Sequence, residues 1–140
     1  MFTEVEVTKF LLGILVFLCS LPAYAGCTFQ WHTYGDNQIR DIVSQRIGSY
    51  VPNEYCKKFN KSHEIVIIFD AFTLRDMCVG YATVSLRKRG SETQQKSRNS
   101  AVTTNTNCRS MDGAYELAAQ SSLDALKSLM ANLSSIKVTN

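Results

Sequence analysis

The stretch that decides the fold is His63 to Lys88: HEIVIIFDAFT at 63–73, the turn LRDM at 74–77, and CVGYATVSLRK at 78–88. The first segment is dense in β-branched and aromatic residues, as buried strands are. The second alternates, with Cys78, Gly80, Ala82, Val84 and Leu86 on one face and Val79, Tyr81, Thr83, Ser85 and Arg87 on the other. A hairpin follows from that order. Gly80 and Ala82 are small, so a helix can lie close against their face.

Downstream, Arg89 to Ser97 (RGSETQQKS) has no apolar side chain and reads as a hairpin loop. Arg98 to Asn107 (RNSAVTTNTN) is strand-like through its threonines and Val102, completing a β-β-β meander. Asp112 then caps a closing helix, in which Ala119, Leu123, Leu126, Met130 and Leu133 recur at helical spacing.

Upstream, Asp36 reads as an N-cap, and Ile39, Ile42, Val43, Ile47 and Tyr50 form one apolar stripe that Pro52 and Asn53 end. Residues 56–62 read as a basic, polar connection, and Gly26 to Gly35 (GCTFQWHTYG) as an edge strand or an extended lead-in. The expectation is an α+β fold in α-β-β-β-α order. A three-stranded antiparallel sheet carries two helices on one face, with room for an extra N-terminal strand.

The first 25 residues, MFTEVEVTKFLLGILVFLCSLPAYA, have the pattern of a cleaved secretory signal: apolar from Phe10 to Leu21, broken by Pro22, with small Ala23 and Ala25 before the cut. The apolar run is short of the ~20 residues that span a bilayer. Glu4 and Glu6 precede the single Lys9, against the usual positive start, and beginning at Val7 would restore an ordinary signal. Residues 26–140 then form one domain by length. Loss of Lys9, Glu4 and Glu6 takes the formal charge from +3 to +4, too little to diagnose nucleic-acid binding.

Of five cysteines, Cys19 leaves with the signal, and Cys27, Cys56, Cys78 and Cys108 remain. An even number in an exported chain reads as two disulfides. Ala25-Gly26-Cys27 also resembles a lipobox, which would lipidate Cys27 and anchor the chain in the envelope. Tyr24 departs from that motif, and lipidation would strand one thiol. The spacings of 29, 22 and 30 residues, with no C-x2-C pair, disfavour zinc. If strands two and three pair so that opposite residue numbers sum to about 186, Cys78 faces Cys108 across the ladder. Cys27–Cys56 follows by elimination.

Chemistry-bearing motifs are scarce. His32 and His63 lie on different segments, and no G-x-S-x-G elbow, H-E-x-x-H, phosphate loop or dinucleotide fingerprint occurs. No metal or cofactor site is expected. Asp70 interrupts an apolar strand and is the one carboxylate whose burial would make it an acid–base candidate. Arg87, Lys88, Arg89, Lys96 and Arg98 surround the second hairpin loop, opposed only by Glu92. Such a tip suits an acidic protein surface or an anionic membrane; it lacks the interleaved aromatics of single-strand nucleic-acid binders. The sequons at Asn60 and Asn132 matter only in a eukaryotic host, and the signal fits a bacterial exporter.

The leading expectation is a small exported binding module of the bacterial envelope, of inhibitor, immunity or assembly-accessory type, contacting partners through the basic hairpin and the aromatic residues Phe29, Trp31 and Tyr34. The alternatives are a periplasmic hydrolase using Asp70 with a histidine, and a structural subunit that self-associates through its Thr-rich strand.

Overall fold

The structure is a computed structural model that describes residues 27–137, without the side chains of 94–96; the signal segment, Cys19 and the Val7 start lie outside the described residues. The elements run β1 (Trp31–Tyr34), α1 (Asn37–Ser44), a 3-10 turn (Ile47–Tyr50), α2 (Asn53–Lys58), β2 (His63–Leu74), β3 (Met77–Lys88), β4 (Gln94–Asn105), α3 (Met111–Ala131) and a 3-10 turn (Leu133–Ser135). The class is α+β. Among the described residues the sheet has four strands in the order β1-β2-β3-β4, β1 being the extra N-terminal strand for which the sequence left room. It departs from an all-antiparallel sheet in that β1 runs parallel to β2 while the other pairs are antiparallel.

The two long hairpin strands form for the reasons their composition gives. A two-residue turn, with Arg75 at φ 52°, joins them one residue tighter at each end than expected. Their inward faces, Ile65, Ile67 and Phe69 with Ala82, Val84 and Leu86, meet α3 through Ala118, Ala119, Leu123 and Leu126. Gly80 permits the close approach. A Cβ there would lie 2.1 Å from the Ala118 amide nitrogen, and the Ser121 hydroxyl donates to the Gly80 carbonyl at 3.0 Å. Ile39, Val43 and Ile47 join the same core from α1 and the turn after it, so the helices share one layer.

Four local expectations need correction. The first helix ends at Ser44, and Pro52 starts a new helix rather than only stopping one, as proline suits a helix entrance. The supposedly polar connection at 56–62 begins inside α2 and buries Phe59 at that helix's C-terminal end, stacked at 6.1 Å on the buried Tyr55 four residues before it. The closing helix is capped by Ser110, whose Oγ accepts from the Gly113 amide at 3.1 Å, with Asp112 in the first turn. β4 begins at Gln94, inside the expected loop. An edge strand is held by backbone hydrogen bonds and can be polar on both faces, so its start leaves no apolar signal.

The disulfides join Cys27 to Cys56 and Cys78 to Cys108, with Cα separations of 5.8 Å and 5.3 Å. The ladder is not what brings the second pair together. Cys78 stands opposite Asn105, three residues short of the register assumed from sequence. Cys108 lies beyond the strand, turned back by Asn107 N–H to Asn105 Oδ1 at 2.9 Å and by its own N–H to Asp76 O at 3.2 Å. Two cross-links fit an oxidising compartment. No helix among the described residues is long and apolar enough to cross a membrane.

Candidate functional site

Among the described residues the helices lie on one face of the sheet, so alternation along the strands sends the even residues of β2 and the odd residues of β3 to the other face. At the end of that open face where β2 begins, four polar side chains from three strands converge. Glu64 on β2 is buried, its side chain 7% exposed. One carboxylate oxygen accepts from Arg87 Nε at 2.6 Å, and the other lies 2.9 Å from His32 Nε2. Arg87 Nη1 donates to the Tyr34 hydroxyl at 3.1 Å. Register explains the convergence: Glu64 is directly opposite Arg87, and His32 on β1 is opposite Val66, one same-face step along β2.

The electrostatics are self-consistent. Glu64 is an acceptor-only anion with a cation on one oxygen and a ring nitrogen on the other. The Tyr34 hydroxyl and Glu64 hold the Arg87 guanidinium above its usual basicity. Because a carboxylate only accepts, His32 Nε2 is the donor in its 2.9 Å contact with Glu64. His32 and Tyr34 are half-exposed, at 53% and 51%, yet each is tied to a buried or nearly buried partner. They form the walls of a concavity of about 670 Å³, closed on one side by Gly90, Ser91 and Glu92.

The residues singled out from sequence are distributed differently from expectation. Arg87 is 11% exposed and committed to Glu64. Arg89 is half-buried and bonds the His63 carbonyl and Asn60 Oδ1, both at 3.2 Å. Lys88 and Arg98 are exposed, and the Lys96 side chain lies outside the described residues. Of the aromatic lead-in, Phe29 and Trp31 pack against the core and Tyr34 alone is left outward. Both sequon amides are engaged: Asn60 Nδ2 donates to Thr28 O at 3.0 Å and Asn132 Nδ2 to Ser128 O at 2.9 Å.

Asp70 does not meet a histidine. It is exposed and accepts from the Ala71 amide at 2.8 Å. His63 lies at the far end of the same strand, about 23 Å away along an extended chain and on the other face. His32 faces Val66, about 13 Å short of Asp70. His63 is buried beside the Ser62 hydroxyl, 2.8 Å from Nδ1, and against the Phe59 ring; burial, then the Lys88 charge, pushes its basicity down. The carboxylate that meets a histidine is Glu64. Its signal in the sequence was a charge beside an apolar strand start, legible only once β1 is placed parallel to β2. Among the described residues no group of three or more His, Cys, Asp or Glu is arranged to hold a metal.

No protein-family model matches this chain, and no curated protein is similar to it at a significant level.

Proposed function

We propose that this protein is a small exported binding module of the bacterial envelope, acting through protein–protein contact as inhibitor, immunity or assembly-accessory proteins do. Two disulfides and an N-terminal signal pattern support the compartment. The observation that carries the reading is the pre-tied pair of half-exposed rings on the open sheet face. Glu64 holds His32, and Arg87 holds Tyr34. A contact surface gains affinity when its outward side chains are already ordered, since less freedom is lost on binding. Tyrosine and arginine are the residue types that dominate such contacts.

The partner's chemistry follows from what surrounds the concavity. Lys61, Lys88, Arg89 and Arg98 lie at the same end of the sheet, and Glu64 is already neutralised by Arg87, leaving Glu92 as the acid of the loop. An acidic surface on a secreted or envelope protein is the complement, with Tyr34 and His32 as the central anchors and the lysines as a steering rim.

The test places a photoreactive phenylalanine analogue at position 34, and separately at position 127 on the exposed side of α3, in the native host. A discrete protein adduct from position 34 that is absent from position 127 is the expected result. The same adducts from both positions, or none from position 34, overturn the reading, as does an adduct to lipid rather than protein.

A further inference from the structure

We propose that β4 pairs with β4 of a second copy of this chain, antiparallel and centred on Val102. β4 is a sheet edge of 12 residues with one strand neighbour among the described residues. Natural edges are blunted by charge, proline or a bulge. Here the charged residues, Lys96 and Arg98, fall in the first half, where the ladder is also irregular between Ser85 and Arg87. Asn99 to Asn105 (NSAVTTN) has no charge, proline or glycine, and Val102 at its centre is 61% exposed.

That half-strand is chemically self-complementary. A two-fold axis through Val102 sets Asn99 opposite Asn105 of the second copy, Ser100 opposite Thr104 and Ala101 opposite Thr103. Amide meets amide, hydroxyl meets hydroxyl, and small meets small. Residues of equal parity oppose one another, so the helix face and the open face each continue across the junction. Tyr81 neighbours Val102 on β3, and the pairing makes a row of two tyrosines flanking two valines on the open face. The two Arg98 side chains end eight residues apart, about 27 Å and beyond the ~8 Å screening length. An axis through Ser100 instead would set Val102 against Arg98 and halve that distance. His32 and Tyr34 stand on β1 at the opposite edge, and residues 99–105 do not line their concavity, so the dimer would present two copies of it and the pairing stands independently of the partner reading.

Sedimentation equilibrium on the exported, disulfide-bonded chain tests this over about 10 μM to 1 mM, the range for a contact well below standard interface area. A monomer–dimer equilibrium is expected. Val102→Lys and Val102→Glu each set like charges directly opposite and should weaken the dimer at least about 10-fold, while an equimolar mixture of the two recovers a heterodimer. In the unaltered chain, amide-exchange protection at 99–105 should rise with concentration. A monomer throughout, an oligomer larger than a dimer, an association insensitive to both substitutions, a mixture that does not recover, or protection unchanged at 99–105 would each overturn the proposal.

Discussion

Gly80→Ala is the sharpest probe of how α3 sits on the sheet. A Cβ at Gly80 would lie 2.1 Å from the Ala118 amide nitrogen, 2.2 Å from the Leu117 carbonyl carbon and 2.6 Å from Ala118 Cα. These are backbone atoms, so no side-chain rotation relieves the clash. Ordinary contact begins at 3.4 Å, and α3 must therefore retreat locally by about 1.3 Å. The retreat stretches the Ser121 hydroxyl bond to Gly80 O, worth about 1 kcal/mol, and loosens the packing of Ala118 against Ala82, for which overpacking costs of about 1–3 kcal/mol apply. The total is about 2–4 kcal/mol, or a urea midpoint lower by about 1–2 M at an m-value near 2 kcal/mol per M. Urea unfolding of the oxidised protein, followed by circular dichroism, measures it. Because the clash is with backbone, Ala118→Gly on top of Gly80→Ala should recover nothing. Gly48 is the control: a methyl added there would meet no atom within 4 Å, and its φ is not positive. Gly48→Ala should change stability by less than about 1 kcal/mol. A Gly80→Ala midpoint within error of the unaltered protein, or rescue by Ala118→Gly, refutes the close backbone approach.

Replacing Glu64 by leucine strands a nearly buried Arg87 and frees His32, and unfolding should show a loss of about 2–3 kcal/mol. Arg98→Glu on the exposed edge should stay within about 0.5 kcal/mol in the same assay. Folding lowers the basicity of His63 through burial and then Lys88, so below about pH 6.5 the unfolded chain binds more protons than the folded one. The stabilisation from a neutral His63 is present above that pH and lost as pH falls; midpoints between pH 7.5 and 5.5 should decline, and His63→Phe should flatten the decline. Replacing both Cys78 and Cys108 by alanine opens a loop of sequence separation 30 and should cost about 3–4 kcal/mol in the chain-entropy view, read as a lower melting temperature under non-reducing conditions.

Much of the architecture was legible in the sequence because it was written in apolar spacing. The β2–β3 hairpin, the helix entrance at Asp36 and the stripe from Ala119 to Leu133 all declare themselves that way. What escaped was structure that hydrophobicity does not encode. The segment at 26–35 reads as an edge strand, which β1 is, but its parallel pairing to a strand far along the chain has no local signature. Tyr55 and Phe59 stand on either side of Lys57 and Lys58, and their four-residue spacing was the mark of a helix face that the charges obscured. The Cys78–Cys108 pairing came from an assumed register three residues off; proximity survives that error because the strand end and the turn after it lie together. For the candidate site, Arg87 was legible as charge and Tyr34 as an aromatic of the lead-in. The Glu64–Arg87 pair follows from the β2–β3 register, while the contacts of His32 with Glu64 and of Tyr34 with Arg87 depend on where β1 lies.

The Cys27–Cys56 cross-link bears on the order in which the chain assembles. Trp31 must find Ile65, thirty-four residues away, whereas β2, β3 and β4 close through tight local hairpins. Once the bond forms, the path from Trp31 to Ile65 through the sulfurs is about thirteen residues, a shortening worth about 0.9 kcal/mol of closure entropy. Oxidation thus turns the slowest search in the topology into a near-local one. A chain whose cysteines are kept reduced should refold its three-stranded meander first and add the N-terminal edge, with His32 and Tyr34 on it, as a separate and later phase.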